Sequence, residues 1–164
     1  PWSYRHVAIR PDAYGVGVLS RLPLRDPRAE VVGEATELVA RLDLPDGPVD
    51  LIVVHTTPPY RADWIDAWVD HLDWLAAAGE RGRRIAVGDL NTSVFHPRFD
   101  ILRDAGWRDA AEASGNRLQM TWPSAFPVLG LDHALVDGPF DVDQVRVLPG
   151  PGSDHRMLRV SLRL

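Results

Sequence analysis

Ile85-Ala86-Val87-Gly88-Asp89-Leu90-Asn91 runs a short apolar stretch into a glycine and then sets an acid and an amide two residues apart. In extended chain, residues i and i+2 point to one side, so Asp89 and Asn91 leave the end of a strand together. Strand ends hold polar groups at fixed spacing, and three more stretches have this form. They are Val53-Val54-His55-Thr56-Thr57, then Leu131-Asp132-His133-Ala134-Leu135-Val136 with its acid entering a strand, and Gly152-Ser153-Asp154-His155-Arg156, a turn ahead of the last apolar run.

Working outward, alternation or short apolar runs predict strands over Gly15–Ser20, Val31–Leu44, Val49–His55, Arg84–Val87, His133–Val136, Val142–Leu148 and Leu158–Leu164. A helix is predicted over Ala62–Ala78, where Trp64, Trp68, Leu72 and Leu75 form one stripe and Gly79 supplies a stop. A shorter one begins after His96 with Pro97 in its first turn, carries Phe99, Ile101 and Leu102, and ends at Gly106. Few helices among many strands indicate an α+β sandwich rather than regular βαβ alternation. No repeat or low-complexity linker interrupts residues 1–164, which read as a single domain.

Composition narrows the chemistry. The 164 residues are 45% hydrophobic and 25% charged, enough apolar material for a core, and no apolar run approaches the roughly 18 residues that a membrane span needs. The absence of cysteine excludes thiolate nucleophiles and thiolate-bound zinc, so a metal would be held by carboxylate, amide or imidazole groups. All 18 basic residues are arginine, which excludes a Schiff-base or P-loop lysine and fits GC-rich bacterial coding. A net charge of −5 argues against coating nucleic acid by bulk electrostatics, although Arg98, Arg117 and Arg156 can line a local phosphate track.

Phosphodiester hydrolysis needs charge neutralised on the phosphate, a base for water, donors to the developing oxyanion and help for the leaving oxygen. Asp89 and Asp154 are hard ligands or bases, Asn91 is an amide donor, and Asp132 beside His155 makes a carboxylate–imidazole pair. Gly-Asp-Leu-Asn at 88–91 with Ser-Asp-His at 153–155 resembles the paired signature of the endonuclease/exonuclease/phosphatase superfamily, the DNase I-like fold. Gly-Val-Gly-Val-Leu-Ser-Arg-Leu-Pro-Leu at 15–24, Val-Val-His-Thr at 53–56 and Leu-Asp-His-Ala-Leu-Val at 131–136 match its further elements in order.

The resemblance implies a four-layer sandwich of two packed mixed sheets flanked by helices. It implies a Mg²⁺- or Mn²⁺-dependent hydrolase of phosphodiesters or phosphomonoesters, acting on nucleic acid or a phospholipid headgroup. By it, Asp89 activates water, Asn91 holds the phosphate, His155 acts at the phosphate with Asp132 orienting it, and His55 assists the leaving group. The metal falls to Asp154 with Asp89 and Asn91, and substrate contacts to Asn91, Arg156 and Trp122. The family pattern also has an asparagine-ended strand and a glutamate-ended strand before the Ser-Arg-x-Pro element. Only 14 residues precede Gly15, and none of Glu30, Glu34 or Glu37 matches that glutamate. The resemblance therefore implies an N-terminally incomplete sandwich. Its alternative function is a catalytically incomplete binding or assembly module, completed by self-association or by a complementing N-terminal segment.

Other residues have plainer readings. His133, pointing opposite to Asp132, is structural. His6, His71 and His96 are solvated or capping residues, Trp64 and Trp68 belong to a helix core, and Trp122 either plugs the sandwich or touches substrate.

Overall fold

Residues 2–12 and 14–164 are described by a computed structural model, and their strands fall into three hydrogen-bonded groups. The largest has six strands: β3 (Leu24–Val32), β4 (Ala35–Leu44), β5 (Gly47–His55), β6 (Arg84–Asp89), β8 (Asp132–Asp137) and the short β7 (Arg108–Asp109), hydrogen-bonded in the order β3-β4-β5-β6-β8-β7. Two antiparallel hairpins, β1 (Tyr4–Ala8) with β2 (Val16–Ser20) and β9 (Asp141–Leu148) with β10 (Met157–Arg163), pack on one face of that sheet. The other face carries α1 (Ala62–Ala77) and α2 (Asp100–Asp104), while the single-turn α3 (Ala110–Ala113) follows the edge strand β7 and lies near both β8 and β9. The result is an α+β sandwich of the DNase I-like kind. Among the described residues its second sheet is two separate hairpins.

The stripe predicted for the first helix explains its seat. Trp68, Leu72 and Leu75 are buried against Val39, Ile52, Val54 and Ala86, the residues of β4, β5 and β6 that point to the helix side. Trp64 lies only half-buried at the helix start, tilted against Tyr60 and under the Arg61 guanidinium. His71, read from sequence as solvated or capping, is instead 1% exposed. Its Nε2–H donates to the Val32 carbonyl at 2.6 Å and its Nδ1 accepts the Thr57 amide at 3.1 Å, so both ring nitrogens are satisfied. It follows Trp68 by three positions and precedes Leu75 by four, which places it on the inward face. His6 lies half-buried on β1, opposite Val18. His96 does cap, accepting the Arg98 amide at the start of the turn Pro97–Phe99.

The predicted strand Val31–Leu44 is two strands folded back at Gly33-Glu34. Gly33 has φ +57°, and Val32 pairs with Ala35 across the turn. Val32 and Ala35, the residues either side of the turn, are both buried while Val31 is exposed, and periodicity alone passes over the reversal.

Candidate active site

The site is assembled by strand register. β5 and β6 run parallel with His55 beside Asp89, and β6 and β8 run antiparallel with Asp89 beside Asp132. Three polar residues from distant parts of the sequence thus stand in one row across adjacent strands. Opposed residues share a face, so all three point toward the hairpins. Gly88 permits the approach: its φ is +143°, and a Cβ there would lie 1.9 Å from the Val54 carbonyl oxygen.

Beyond the strand end the chain turns sharply. Asn91 adopts φ +47°, a conformation asparagine tolerates, with its amide N–H on Asp89 Oδ1 at 2.8 Å and its Nδ2 on the Thr56 carbonyl at 2.8 Å. Asp89 Oδ2 is left facing the cleft. Thr121, fully buried, accepts the Asp132 amide on its hydroxyl at 3.3 Å and fixes that strand's start. In the turn before β10, Ser153 Oγ accepts the His155 amide at 3.0 Å, and His155 Nδ1–H donates to Asp132 Oδ2 at 2.8 Å. This bond leaves Nε2 free, 3.7 Å from Asp89 Oδ2, while His55 Nε2 stands 3.9 Å from the same oxygen. Both gaps exceed a hydrogen bond and suit a bridging water or substrate oxygen.

The electrostatics differ from group to group. Burial raises the Asp89 carboxyl to about 6, opposed by the Asn91 amide and reinforced by the neighbouring Asp132 charge. Burial lowers His55, and the facing His155 lowers it further. For His155 burial acts downward too, but the Asp132 bond and charge outweigh it and the imidazole is raised. A base poised below neutrality therefore faces an imidazole biased toward holding its proton.

The cleft has a volume of about 570 Å³ and is lined by His55, Asp89, Asn91, Asp132, Asp154 and His155, with Tyr14, Val16 and Gly17 opposite. Asp154 is exposed at its rim and accepts the Trp122 indole N–H at 3.3 Å. Trp122 itself is not among the lining residues, and neither is Arg156, whose Nε donates to the Ser124 carbonyl at 2.9 Å. The structure thus brings His55, Asp89, Asn91, Asp132, Asp154 and His155 together in one cleft and leaves Trp122, Arg98, Arg117 and Arg156 out of its lining.

His133 is buried outside the cleft, donating from Nδ1 to Asp109 and from Nε2 to the Thr92 carbonyl, each at 2.8 Å. Tyr14 went unnoticed in the sequence, where a tyrosine before a glycine reads as ordinary loop; its ring sits 5.3 Å from that of His55. Glu37, set aside above, is fully buried and accepts the His55 amide at 2.9 Å. Its signal was present, as a lone acid within the run Thr36-Glu37-Leu38-Val39-Ala40.

A divalent metal is implied by the resemblance, and the donor set tests it. Among the described residues no group of three or more His, Asp or Glu side chains could hold a metal ion. One Asp132 oxygen is taken by His155, and Asp154 bonds Trp122 at the rim. These residues alone do not fit a metal centre.

An α+β sandwich with acids, an amide and imidazoles gathered at its strand ends defines a class, the DNase I-like sandwich proteins. A family model described as "Endonuclease/Exonuclease/phosphatase family" matches residues 1–155, and the chain belongs to that family. Its members are hydrolases acting on phosphoesters and generally use divalent metals. Among solved structures, the chain is similar to an endonuclease/exonuclease/phosphatase family protein from Leptotrichia buccalis, at 14% identity and TM-score 0.77, covering 98% of this chain and 71% of that one. It is similar to D. rerio TDP2 humanized by 14 mutations, at 14% identity and TM-score 0.78, covering 98% and 76%. It is also similar to a mannosyl-6-phosphatase from Bacteroides thetaiotaomicron, at 16% identity and TM-score 0.72, covering 92% and 71%. At these identities the shared property is the fold. A comparison with curated protein sequences gives no match.

Proposed function

We propose that the cleft hydrolyses a phosphoester bond, with Asp89 as the base that takes a proton from the attacking water. The observation that carries this reading is the row His55–Asp89–Asp132 in strand register, closed over by His155. Water attacks phosphorus, its proton passes to Asp89 Oδ2, and the P–O bond to the leaving group breaks. His155 Nε2, protonated through its pairing with Asp132, supplies a proton to the departing oxygen or a hydrogen bond to a non-bridging one. Asn91 spends one amide hydrogen on Thr56 and retains a second for the phosphate. His55, kept neutral by burial, stands where it can bond the leaving group.

Phosphodiesters and phosphomonoesters both present the oxygens this arrangement addresses, and Mg²⁺ and Mn²⁺ are the hard cations to supply in the assay. The test is hydrolysis of bis-p-nitrophenyl phosphate and of p-nitrophenyl phosphate by the 164-residue chain, with each ion and without, beside Asp89→Asn. Turnover that falls at least ~100-fold in the variant is expected. Equal turnover in the variant would overturn the role of Asp89. No turnover from a folded chain under any of these conditions would favour the binding or assembly module.

A further inference from the structure

The turn that carries Asp89 and Asn91 is held from behind the cleft. Asn91 sits at φ +47°, a conformation that a non-glycine residue keeps only where its surroundings over-determine it. The carbonyls of the residues on either side of it are both captured by buried ring donors. Trp68 Nε1–H donates to the Leu90 carbonyl at 3.1 Å, and His133 Nε2–H donates to the Thr92 carbonyl at 2.8 Å. Leu90 in turn donates its amide to the Leu131 carbonyl at 2.9 Å, which ties the turn to the start of β8.

A buried indole that satisfies its single donor is an ordinary core residue, whereas His133 is an unusual one. It lies on β8 opposite Gly88, buried, with the Phe99 ring 5.2 Å from its own. Its Nδ1 meets Oδ2 of the buried Asp109 at 2.8 Å. Asp109 is itself fixed, because its Oδ1 accepts the Glu112 amide at 3.0 Å as the cap of α3. A carboxylate and a carbonyl only accept, so both ring nitrogens carry hydrogen and His133 is an imidazolium. Burial works against that charge, but the Asp109 bond and charge outweigh it and the imidazole is raised. Apolar side chains of the same volume would fill this space without a buried ion pair. What they would not supply is a second N–H aimed at the Thr92 carbonyl.

We propose that Asp109 and His133 are positioning residues for the catalytic turn: Asp109 fixes the ring, and the ring's Nε2–H clamps the Thr92 carbonyl so that Asn91 keeps its strained conformation. The effect reaches the cleft through Asp89. Its Oδ1 accepts the Asn91 amide at 2.8 Å, so the place of that amide decides where Oδ2 points. When Asn91 relaxes, Asp89 loses this anchor and the Asn91 side chain leaves the Thr56 carbonyl. Two carboxylate–imidazole pairs therefore meet at neighbouring residues of β8, Asp132–His155 in the cleft and Asp109–His133 behind it. The consequence for hydrolysis rests on Asp89 acting as the base; the clamp itself does not.

NMR on the ¹⁵N-labelled 164-residue chain tests the clamp without using turnover. In the unaltered chain at pH 7, both ring nitrogens of His133 should carry hydrogen, and an Nε2 without one would overturn the proposal. In His133→Leu, which has similar bulk and no donor, the Asn91 amide should exchange at least ~tenfold faster, with the Ile52 and Ala86 amides of the central strands changing less. Where that variant fails to fold because Asp109 is left unpaired, Asp109→Asn combined with His133→Leu removes the charge and keeps the α3 cap. Acceleration below ~tenfold, or one shared equally by Ile52 and Ala86, would overturn the clamp, since a side chain that only fills the core loosens the whole sheet alike. In a chain that hydrolyses bis-p-nitrophenyl phosphate, kcat should also fall at least ~tenfold in the same variant, as a misdirected base gives. An unchanged kcat would overturn the positioning role. A chain that hydrolyses nothing counts against the phosphoesterase reading alone, and the exchange rates still decide the clamp.

Discussion

Replacing Glu37 with glutamine tests how a fully buried acid is tolerated beside the active site. The Glu37 carboxyl is 0% exposed, its Oε2 accepts the His55 amide at 2.9 Å, and its Oε1 has no partner among the described residues. Burial raises it from 4.5 to about 7, against the opposing pull of the His55 amide. The sign follows by linkage. Below pH 4.5 the group is protonated in both states and stability is fully present. Between 4.5 and about 7 the unfolded chain ionises while the folded one does not, so stability falls as pH rises, and above that the loss is complete. At about 1.4 kcal/mol per pH unit the loss is about 3 kcal/mol. Glutamine keeps an acceptor for His55 and cannot ionise, though its buried amide donors cost on the order of 1 kcal/mol at every pH. Glu37→Gln should therefore be more stable than the parent by about 2 kcal/mol near pH 8 and slightly less stable near pH 4.5. Urea denaturation followed by tryptophan fluorescence at both pH values measures this. The change between the two values is decisive, because contributions common to both proteins cancel in it. A stability difference that does not vary with pH would refute the reasoning.

The pH dependence of hydrolysis follows from Asp89 and His155. With Asp89 as base, kcat/KM should rise as pH climbs through about 6, and with His155 as acid it should fall above that imidazole's raised value; a rate flat from about pH 5 to 9 would exclude the pair. In Asp132→Asn the alkaline limb should move to lower pH, because His155 loses the carboxylate on Nδ1. Arg84 is fully buried, pairs with Asp137 at 2.9 Å, bonds the carbonyls of Ala76, Ala78 and Ala105 and lies over the Trp107 ring. Arg84→Ala should lower stability by about 3–5 kcal/mol in urea titration, and a loss under about 1 kcal/mol would show that water replaces the guanidinium.

The sequence made each polar strand end legible separately, since an apolar run ending in Gly88-Asp89-Leu90-Asn91 announces where a strand stops and what it presents. It did not show that His55, Asp89 and Asp132 would form a row. That depends on which strands become neighbours, and β5 joins β6 only through the crossover helix α1 while β8 reaches β6 after some forty intervening residues. Arg156, placed among the substrate contacts by the resemblance, does not line the cleft, and its Nε donates to the Ser124 carbonyl. His71 was misread because residue type outweighed periodicity, although its spacing from Trp68 and Leu75 already set it inward.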